Sequence, residues 1–341
     1  MELSAVVVVP ADVDTAIEPV FAGPVRTGSE TGAPPFVRSP RTPVLGNDVM
    51  RLWIDRVKAL GVGDLWLASA SNDCQFLHAR LRNLAREGIE KILVIKLKSY
   101  AEMDLADLLR FHREKRNPVT RAHDARGALG VSLLNRCAFD GSSNSDAACA
   151  PGEPSAPYQF TGYTKRLLSS RERQDLVRDA LTGGCAMRPT GQEVRDQVWV
   201  AADAVLDPTA RIVGPAFVGS RTIVRAGATI GPFASVECDC VVDCGTCVEQ
   251  SSVLPNTYLA PGLLIRQSIV NGHQLEHLEL QAVVDLAPAR LGRKIRQSNY
   301  FKHFPFPQRS TSNTGMHRTA WRSDLPSSAS AESPLWQRVN L

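Results

Sequence analysis

Aliphatic residues recur at every sixth position through the second half of the chain. The residues with this spacing are Val200, Leu206, Ile212, Val218, Val224, Ile230, Val236, Val242, Val248 and Leu254. An α-helix turns about 100° per residue, so a six-residue step would scatter these side chains around its axis. In an extended chain alternate residues share a side, and an even step keeps every aliphatic side chain facing the same way. The pattern therefore predicts a hexapeptide parallel β-helix with an aliphatic interior.

A second row lies four positions after each aliphatic residue, and all but one of its members are small. These residues are Ala204, Ala210, Ala216, Thr222, Ala228, Ala234, Cys240, Thr246, Ser252 and Tyr258. Small side chains fit the tight bends of such a coil. After Leu254 the spacing slackens, since Val270, Leu275 and Leu280 are five residues apart. This change predicts the terminal coils and a cap.

The first half of the chain alternates strand-like and helix-like patterns. Apolar runs predict strands at residues 5–9, 65–68 and 92–97, and 3.6-residue periodicity predicts helices at residues 48–60, 76–86, 105–115 and 171–181. Strands that alternate with helices of this length favour a mostly parallel sheet covered on both faces. Residues 12–43 and 141–157 are rich in small, polar and turn-forming residues, which indicates loops. Residues 309–341 have few aliphatics, which predicts a disordered tail.

Two segments of the repeat carry a family resemblance. Residues 211–219, which include Gly214-Pro215, and residues 228–232, which include Gly231-Pro232, resemble the left-handed β-helix of bacterial sugar-nucleotide pyrophosphorylases and of hexapeptide acyltransferases. The handedness is implied by that resemblance only. At about eighteen residues per coil, the family's usual length, the repeat would form roughly three coils.

The first half is similar to the nucleotidyltransferase domain of the same pyrophosphorylase family, which includes mannose-1-phosphate guanylyltransferases. The strand at residues 5–9, the segment at residues 43–47 and the helix after it match the start of that domain, and residues 160–199 match its bridge into the β-helix. The implied fold class is α/β, with a Rossmann-like, mostly parallel sheet followed by a left-handed parallel β-helix. The implied domains are residues 1–190 and 191–290, before the tail at 309–341.

The resemblance also implies substrate contacts and a reaction. Arg41, Pro43, Gly46 and Asn47 would bind the nucleotide or sugar nucleotide. An active member of the family joins a nucleoside triphosphate to a sugar 1-phosphate with Mg²⁺ and releases pyrophosphate. Such a protein would serve sugar-nucleotide supply for surface polysaccharide or exopolysaccharide biosynthesis.

This chain departs from the family where charge matters most. The family's phosphate-binding loop is rich in glycine, whereas residues 10–18 contain none and carry Asp12, Asp14 and Glu18, which would repel a triphosphate. Lys96 and Lys98 stand where the family places a Mg²⁺-binding carboxylate. We therefore expect weakened or lost catalysis, with a role as a sugar-nucleotide-binding protein or scaffold.

Other chemistry-bearing residues allow more than one interpretation. His273 could be the general base of a hexapeptide acyltransferase, which is the alternative function, or it could be a surface turn residue. Asp104 and Asp107 could be shifted metal ligands, or a helix cap and a solvated helix residue. His112 matches a histidine that the family often has at the end of this helix, and Trp199 and Phe217 are predicted packing residues where the bridge meets the coils.

Four cysteines lie close together within the repeat. Cys238, Cys240, Cys244 and Cys247 could hold Zn²⁺ in a tetrahedron. The alternative is that they are small buried residues, since Cys238 and Cys244 share a repeat position and Cys240 belongs to the small row. The spacing favours the second interpretation, and no metal site is predicted.

Composition indicates the setting. The chain has 341 residues, 43% of them hydrophobic, and a net charge of +4 spread over dispersed arginines, so we expect no nucleic-acid partner. The apolar run at the N-terminus lacks the features of a signal peptide, no stretch is long enough to span a membrane, and the eight cysteines then indicate reduced thiols in the cytoplasm. Flat β-helix faces often associate, which favours a homo-oligomer.

Overall fold

The computed structural model describes residues 5–9, 42–62, 64–68, 83–138, 156–280, 282–286 and 336–339. They belong to one compact unit, which comprises Met1–Leu286 and Leu335–Leu341. Residues 12–41 of the loop predicted at 12–43, residues 141–155 of the loop predicted at 141–157, and most of the predicted tail lie outside the described residues. Within the part that the structure describes, no helix has the length and apolar character needed to cross a membrane.

The first half contains one large sheet and one small one. The large sheet has the order β25-β2-β1-β3-β6-β5-β7, and β4 pairs with β8 in the small sheet. The bounds are β1 Ala5–Val9, β2 Asp64–Ala68, β3 Lys91–Lys96, β4 Ser99–Ala101, β5 Val119–Asp124, β6 Gly127–Asn135, β7 Tyr158–Gln159, β8 Thr164–Arg166 and β25 Trp336–Val339. Strands β1, β2 and β3 appear where the apolar runs predicted them.

The large sheet is mixed, so the prediction of a mostly parallel sheet was wrong. Strand β1 is parallel to β2 and β3, but β6 is antiparallel to both β3 and β5. The reason is a hairpin: β5 and β6 are joined through the two residues Ala125 and Arg126, so β6 returns against β3 without a helical crossover. Strand β25 pairs antiparallel with β2 and lies within the segment predicted to be disordered.

One short 3₁₀ helix, Arg136–Ala138, and three α-helices are described completely, and the three α-helices lie where the 3.6-residue periodicity predicted them. They are α1 Val49–Ala59, α2 Leu105–Lys115 and α3 Ser170–Leu181. The residue before each helix caps it, because Asp48, Asp104 and Ser169 each accept a hydrogen bond from a main-chain N–H of the first turn. Of the predicted helix at residues 76–86, residues 83–86 are described and are helical.

The second half is a parallel β-helix with three faces. Face 1 contains β10 Val198–Val200, β13 Ala216–Val218, β16 Ala234–Val236, β19 Ser252–Val253 and β22 Ser268–Asn271. Face 2 contains β11 Val205–Leu206, β14 Ile223–Val224, β17 Val241–Val242 and β20 Tyr258–Leu259. Face 3 contains β12 Arg211–Ile212, β15 Thr229–Ile230, β18 Cys247–Glu249 and β21 Leu264–Arg266. Antiparallel strands flank face 1 at both ends, with β9 Gln192–Arg195 beside β10 and with β23 Gln274–His277 and β24 Ala282–Asp285 after β22.

The six-residue register is confirmed as far as Val248 and then shortens by one residue. Val218 pairs with Val236 at a spacing of eighteen, but Val236 pairs with Val253 at seventeen. Val253 therefore takes the interior position predicted for Leu254, and four coils form where roughly three were expected. The same shift explains the exception in the small row, because Thr257, which is buried, occupies the small position and Tyr258 faces outward.

The corners of the coils repeat as regularly as their strands. Asp203, Arg221, Asp239 and Asn256 occupy one corner in successive coils, and all have φ between 56° and 60°. At another corner Gly231 has φ of 105°, and a Cβ there would lie 1.8 Å from the carbonyl oxygen of Val213. Only glycine fits that close approach of two neighbouring coils.

Candidate functional site

The candidate site is built around the junction loop, residues 42–47, which leads into α1. Its centre is a tight turn in which the N–H of Val44 donates to the carbonyl of Asn47 at 2.8 Å, and the N–H of Asn47 donates back at 2.9 Å. Asp48 follows as the cap of α1. The loop therefore enters the helix with a fixed main chain.

A buried carboxylate of the β-helix binds the N–H groups of this loop. Glu237, directly after β16, is fully buried and accepts hydrogen bonds from the N–H groups of Leu45 at 2.8 Å and Gly46 at 2.9 Å. Burial raises the pKa of Glu237 to about 7, although the charge of Arg173 and the two N–H donors act in the opposite direction. One side chain thus attaches the first half of the chain to the third coil.

An arginine of α3 binds the carbonyl groups of the same loop. Arg173 donates to the carbonyl oxygen of Thr42 at 3.2 Å and also to that of Pro43. It is 5% exposed, and its burial lowers its pKa, opposed by the charge of Glu237. Among the described residues, Arg173 Nε has no hydrogen-bond partner. The arginine and the glutamate together hold the loop main chain from both sides.

Close packing fixes the rest of the loop. Gly46 has φ of 76°, and a Cβ on it would lie 2.0 Å from Thr190 Oγ1. Asn47 Nδ2 donates to the carbonyl of Arg188 at 2.8 Å. The structure thus places Pro43, Gly46 and Asn47, three of the predicted substrate-binding residues, in contacts within the chain. Arg41 lies outside the described residues, and substrate binding by this set stays a prediction.

The outward side of face 1 is covered by the first half of the chain. Phe217 is fully buried and belongs to the same hydrophobic core as α1, α2 and the large sheet, and Trp199 packs against that core. Further along the face, Ser252 Oγ donates to Gln174 Oε1 at 2.5 Å, and Gln174 Nε2 donates to the carbonyl of Phe233 at 3.1 Å. The packing role predicted for Trp199 and Phe217 is confirmed, because Phe217 belongs to the core of the first half and Trp199 packs against it, whereas the interior of the β-helix forms a second core.

The carboxyl ends of the parallel strands form a second part of the candidate site. Lys96 ends β3, and Leu97 and Lys98 form the turn into β4. The N–H of Lys98 donates to the carbonyl of Lys96 at 2.8 Å, and the carbonyl of Lys98 accepts from the N–H of Leu167 at 2.8 Å. The segments that follow β1 and β2 at this edge, residues 10–41 and 69–82, lie outside the described residues.

Asp104, directly before α2, and Asp107, in its first turn, both make contacts within the chain. Asp104 is the N-cap and accepts from the N–H of Ala106 at 2.8 Å. Asp107 accepts a hydrogen bond from the hydroxyl of Tyr158 at 2.5 Å and pairs with Arg110. The hydrogen bond from Tyr158 lowers the pKa of Asp107. These contacts agree with the interpretation of Asp104 as a cap.

His273 is exposed at the tip of the hairpin formed by β22 and β23. With Gly272 it forms the two-residue turn between β22 and β23, and its carbonyl accepts from the N–H of Leu286 at 2.6 Å. The nearby Glu276 is buried and accepts a hydrogen bond from Ser170. The position is that of the surface turn residue; the catalytic role under the acyltransferase alternative stays a prediction.

The four cysteines differ in their surroundings. Cys240 is fully buried in the interior of the β-helix, where Sγ lies 3.1 Å from the carbonyl oxygen of Leu254, and burial raises the pKa of its thiol. Burial also raises the pKa of Cys238, to about 11, whereas Cys244 is exposed. The described residues contain no group of three or more His, Cys, Asp or Glu side chains arranged to hold a metal ion. The structure places Cys240 in the small row.

The structure contains a basic cleft that was not predicted from the sequence. A cleft of about 490 Å³ lies where the C-terminus of α2 meets the start of β3 and the end of β6. Its rim carries four basic residues, Lys91, Arg113, Arg116 and Arg136, and its floor includes His112. The basic residues come from distant parts of the sequence, so no local motif marks the cleft.

Comparison with known proteins gives this chain no family assignment. No protein-family model matches this sequence, and no curated protein is significantly similar to it.

Proposed function

We propose that this chain binds a sugar nucleotide in the cytoplasm without transferring a nucleotidyl group. It would be a non-catalytic relative of the sugar-nucleotide pyrophosphorylases, acting as a regulator or scaffold in surface polysaccharide or exopolysaccharide biosynthesis. The resemblance of residues 43–47 and of the six-residue repeat to that family supports this proposal. So does the parallel arrangement of β1, β2 and β3, because ligands of such strands bind beyond their carboxyl ends.

The observation that carries the proposal is the basic turn after β3. Lys96 and Lys98 stand at the carboxyl end of a central parallel strand, at the position where the related enzymes place a Mg²⁺ ligand. Ammonium groups attract the phosphates of a sugar nucleotide, but they repel Mg²⁺ and cannot ligate it. The residues at this position therefore do not fit the metal that nucleotidyl transfer requires.

The junction loop supports the loss of catalysis. In an active relative the corresponding loop lies beside the substrate, whereas here Arg173 and Glu237 bind its carbonyl and N–H groups. The carbonyl groups of Thr42 and Pro43 and the N–H groups of Leu45 and Gly46 are thus hydrogen-bonded within the chain, which agrees with the proposed loss of nucleotidyl transfer. The loop instead joins the large sheet to the β-helix.

Ligand binding is tested with UDP-glucose and GDP-mannose as probes. A ligand that binds only the folded state raises the melting temperature, so thermal shift gives the first measurement and calorimetric titration gives the affinity. We expect Lys98→Gln to weaken binding about tenfold, a loss of about 1.4 kcal/mol. The control is Lys58→Gln, which removes an exposed lysine of α1 and should leave affinity unchanged.

Catalysis is tested by following pyrophosphate release. The protein is incubated with each nucleoside triphosphate, a panel of sugar 1-phosphates and Mg²⁺, and we expect no release above background. Release that requires a particular sugar would contradict the loss of catalysis. Absence of binding across a full panel of sugar nucleotides would reject the proposed ligand.

The proposal includes self-association. The outward row of face 2 is apolar along its length and consists of Val205, Ile223, Val241 and Tyr258, with Val205 49% and Tyr258 37% exposed. A second copy of the chain could cover this row. Light scattering coupled to size-exclusion chromatography should give a dimer or larger species, and the double change Val205→Lys and Val241→Lys should shift it towards the monomer. A wild-type protein that is monomeric at micromolar concentration would contradict this part.

A further inference from the structure

The lining of the basic cleft contains more positively charged than negatively charged residues. Its four basic residues come from three elements: Lys91 from β3, Arg113 and Arg116 from the end of α2, and Arg136 from the 3₁₀ helix after β6. The only acidic residue of its lining is Glu90, whose Oε2 lies 4.0 Å from Lys91 Nζ. Over the residues that the structure describes, the side chains of the three arginines make no ion pair.

The end of a helix accounts for only part of this cluster. Cations at a helix C-terminus interact favourably with its dipole, which explains Arg113 and Arg116 on α2. It does not explain why Lys91 and Arg136 approach the same cleft from the sheet. Four cations around one cleft repel one another, and an anion between them would relieve that repulsion.

The floor of the cleft is polar and fixed. His112 is buried, with Nε2 2.9 Å from Asn135 Oδ1 and Nδ1 2.8 Å from Thr120 Oγ1. A neutral ring satisfies both contacts by donating from Nε2 and accepting at Nδ1. Asn135 Nδ2 in turn donates to the carbonyl of Asn117 at 2.8 Å, which closes the network. Burial, with smaller contributions from Lys91 and Arg113, lowers the pKa of His112 and keeps the ring neutral.

We propose that this cleft binds a compact phosphate group carried by a small molecule. Guanidinium groups match phosphate oxygens with paired hydrogen bonds, and three arginines and a lysine surround a space of about 490 Å³. That volume lies within the range of small-molecule sites. The cleft lies at the amino end of β3, whereas the sugar-nucleotide site proposed above lies at its carboxyl end, so the two sites are independent.

Calorimetric titration of the full chain with inorganic pyrophosphate tests this site. The cleft variant is the double change Arg113→Gln and Arg136→Gln, which removes two exposed side chains. The matched control is Arg195→Gln with Arg211→Gln, which removes two exposed arginines of the β-helix and the same net charge. We expect the cleft variant to bind pyrophosphate at least about tenfold more weakly, while the control stays within twofold of wild type.

A conservative variant and two further probes keep the outcomes distinct. Arg113→Lys with Arg136→Lys retains the charge but loses the paired hydrogen bonds, so its affinity should fall between those of wild type and the cleft variant. ADP should bind like pyrophosphate if a nucleotide is the source of the phosphate, and only pyrophosphate should bind if the ligand is inorganic. Lys98→Gln, the variant of the other site, should leave pyrophosphate binding within twofold.

Three results would overturn the proposal. The first is no binding of pyrophosphate by the wild-type chain. The second is equal weakening in the cleft variant and the control, which would mean attraction to overall positive charge. The third is tight binding of a single-stranded DNA oligonucleotide that the cleft variant loses while pyrophosphate has no effect, which would make the cleft part of a nucleic-acid surface.

Discussion

The β-helix and the large sheet bury their hydrophobic residues in different ways. In the β-helix each interior residue lies beside its counterpart one coil away, as Val218, Val236 and Val253 do on face 1. In the sheet, neighbouring strands come from distant parts of the chain, since β2 lies between β1 and β25. A β-helix therefore depends on contacts between adjacent coils, whereas the sheet depends on long-range pairing.

The difference is sharpest on the outward side of the β-helix. Face 1 carries the first half of the chain and buries Phe217 completely, whereas face 2 leaves Val205 and Tyr258 exposed. The interior rows of the two faces are alike. The faces differ in the outward-facing residue just before each interior position. Substitution of that residue should lower the free energy of unfolding on face 1, where it is packed against the first half, and much less where it is exposed.

The largest expected effect is that of Phe217→Ala. It removes a fully buried ring from the core shared by both halves and should lower the free energy of unfolding by about 3–5 kcal/mol. Leu264→Ala is the matched control, because Leu264 also precedes an interior residue, Ile265, but is 61% exposed on face 3, and it should cost less than about 1 kcal/mol. Urea unfolding measures both, and equal losses would contradict the distinction between the faces.

Glu237 gives the next largest effect, as a dependence on pH. Its pKa in the folded protein is raised from 4.5 to about 7, so its contribution to stability is complete below about pH 4.5 and is lost as the pH rises through 7. Relative to Glu237→Gln, which does not titrate, the wild-type protein should lose about 3 kcal/mol over that range. Urea unfolding at several pH values measures the difference.

Glu249→Gln is the control for this prediction. Glu249 pairs with Arg266 on face 3, away from the junction loop, and Glu237 is unchanged in that variant. The control should therefore keep the full wild-type fall in stability. A stability difference between wild type and Glu237→Gln that is the same at all pH values would mean that the pKa of Glu237 does not change on folding, which would contradict the prediction.

His112 should produce a pH dependence of the opposite sign. Its pKa is lowered from 6.5, so the neutral ring stabilises the fold above about pH 6.5 and this contribution is lost on acidification. The slope should not exceed about 1.4 kcal/mol per pH unit. His112→Gln keeps a donor near Asn135 and removes only the His112 contribution, so the stability difference between wild type and this variant should grow in favour of wild type from pH 5 to pH 7. His273→Gln, with His112 intact, should keep the wild-type pH dependence. The free energy of unfolding of all three proteins is measured by urea unfolding between pH 5 and pH 7. The same change with pH in all three would contradict the prediction.

The smallest effect is expected on the outer surface of the β-helix. Arg221 Nε and Nη2 bind the two oxygens of Asp239 at 2.6 and 2.5 Å, with the arginine side chain 53% exposed. Asp239→Asn preserves a residue type that tolerates positive φ, so it should change stability by less than about 1 kcal/mol. High salt should remove even that difference. A loss comparable to that of Phe217→Ala would mean that surface ion pairs, rather than the interior row, hold the coils together.

The repeat could be predicted from the sequence because it is local. A row at constant spacing is visible residue by residue, and it placed the strands through Val248. The lost residue was hidden because Val253 and Leu254 are both aliphatic, so either could continue the row. The three α-helices were also predicted, since their apolar residues recur at 3.6-residue spacing and Asp104 was one candidate cap.

The mixed sheet and the two sites could not be predicted in the same way. The residues of β5 alternate between buried and partly exposed positions in the structure, but no strand was predicted there from the sequence. Glu237 is recognisable in the sequence as unusual, because it is a charged residue at a repeat position that Ala201, Gly219 and Leu254 occupy in the other coils. What it binds depends on tertiary structure, as does the convergence of Lys91 and Arg136 on the basic cleft.

The seventeen-residue coils have a practical consequence for engineering. Each missing residue falls between face 3 and face 1, and the inward-pointing row continues through Val253 and Val270 despite it. The side chains of face 1 therefore keep pointing inward whether the corner between face 3 and face 1 is one residue longer or shorter. A foreign peptide grafted there, beside Gln250 or Gln267, should be displayed on the outside of a solenoid that stays wound, which makes this edge the natural attachment point for tags or binding epitopes.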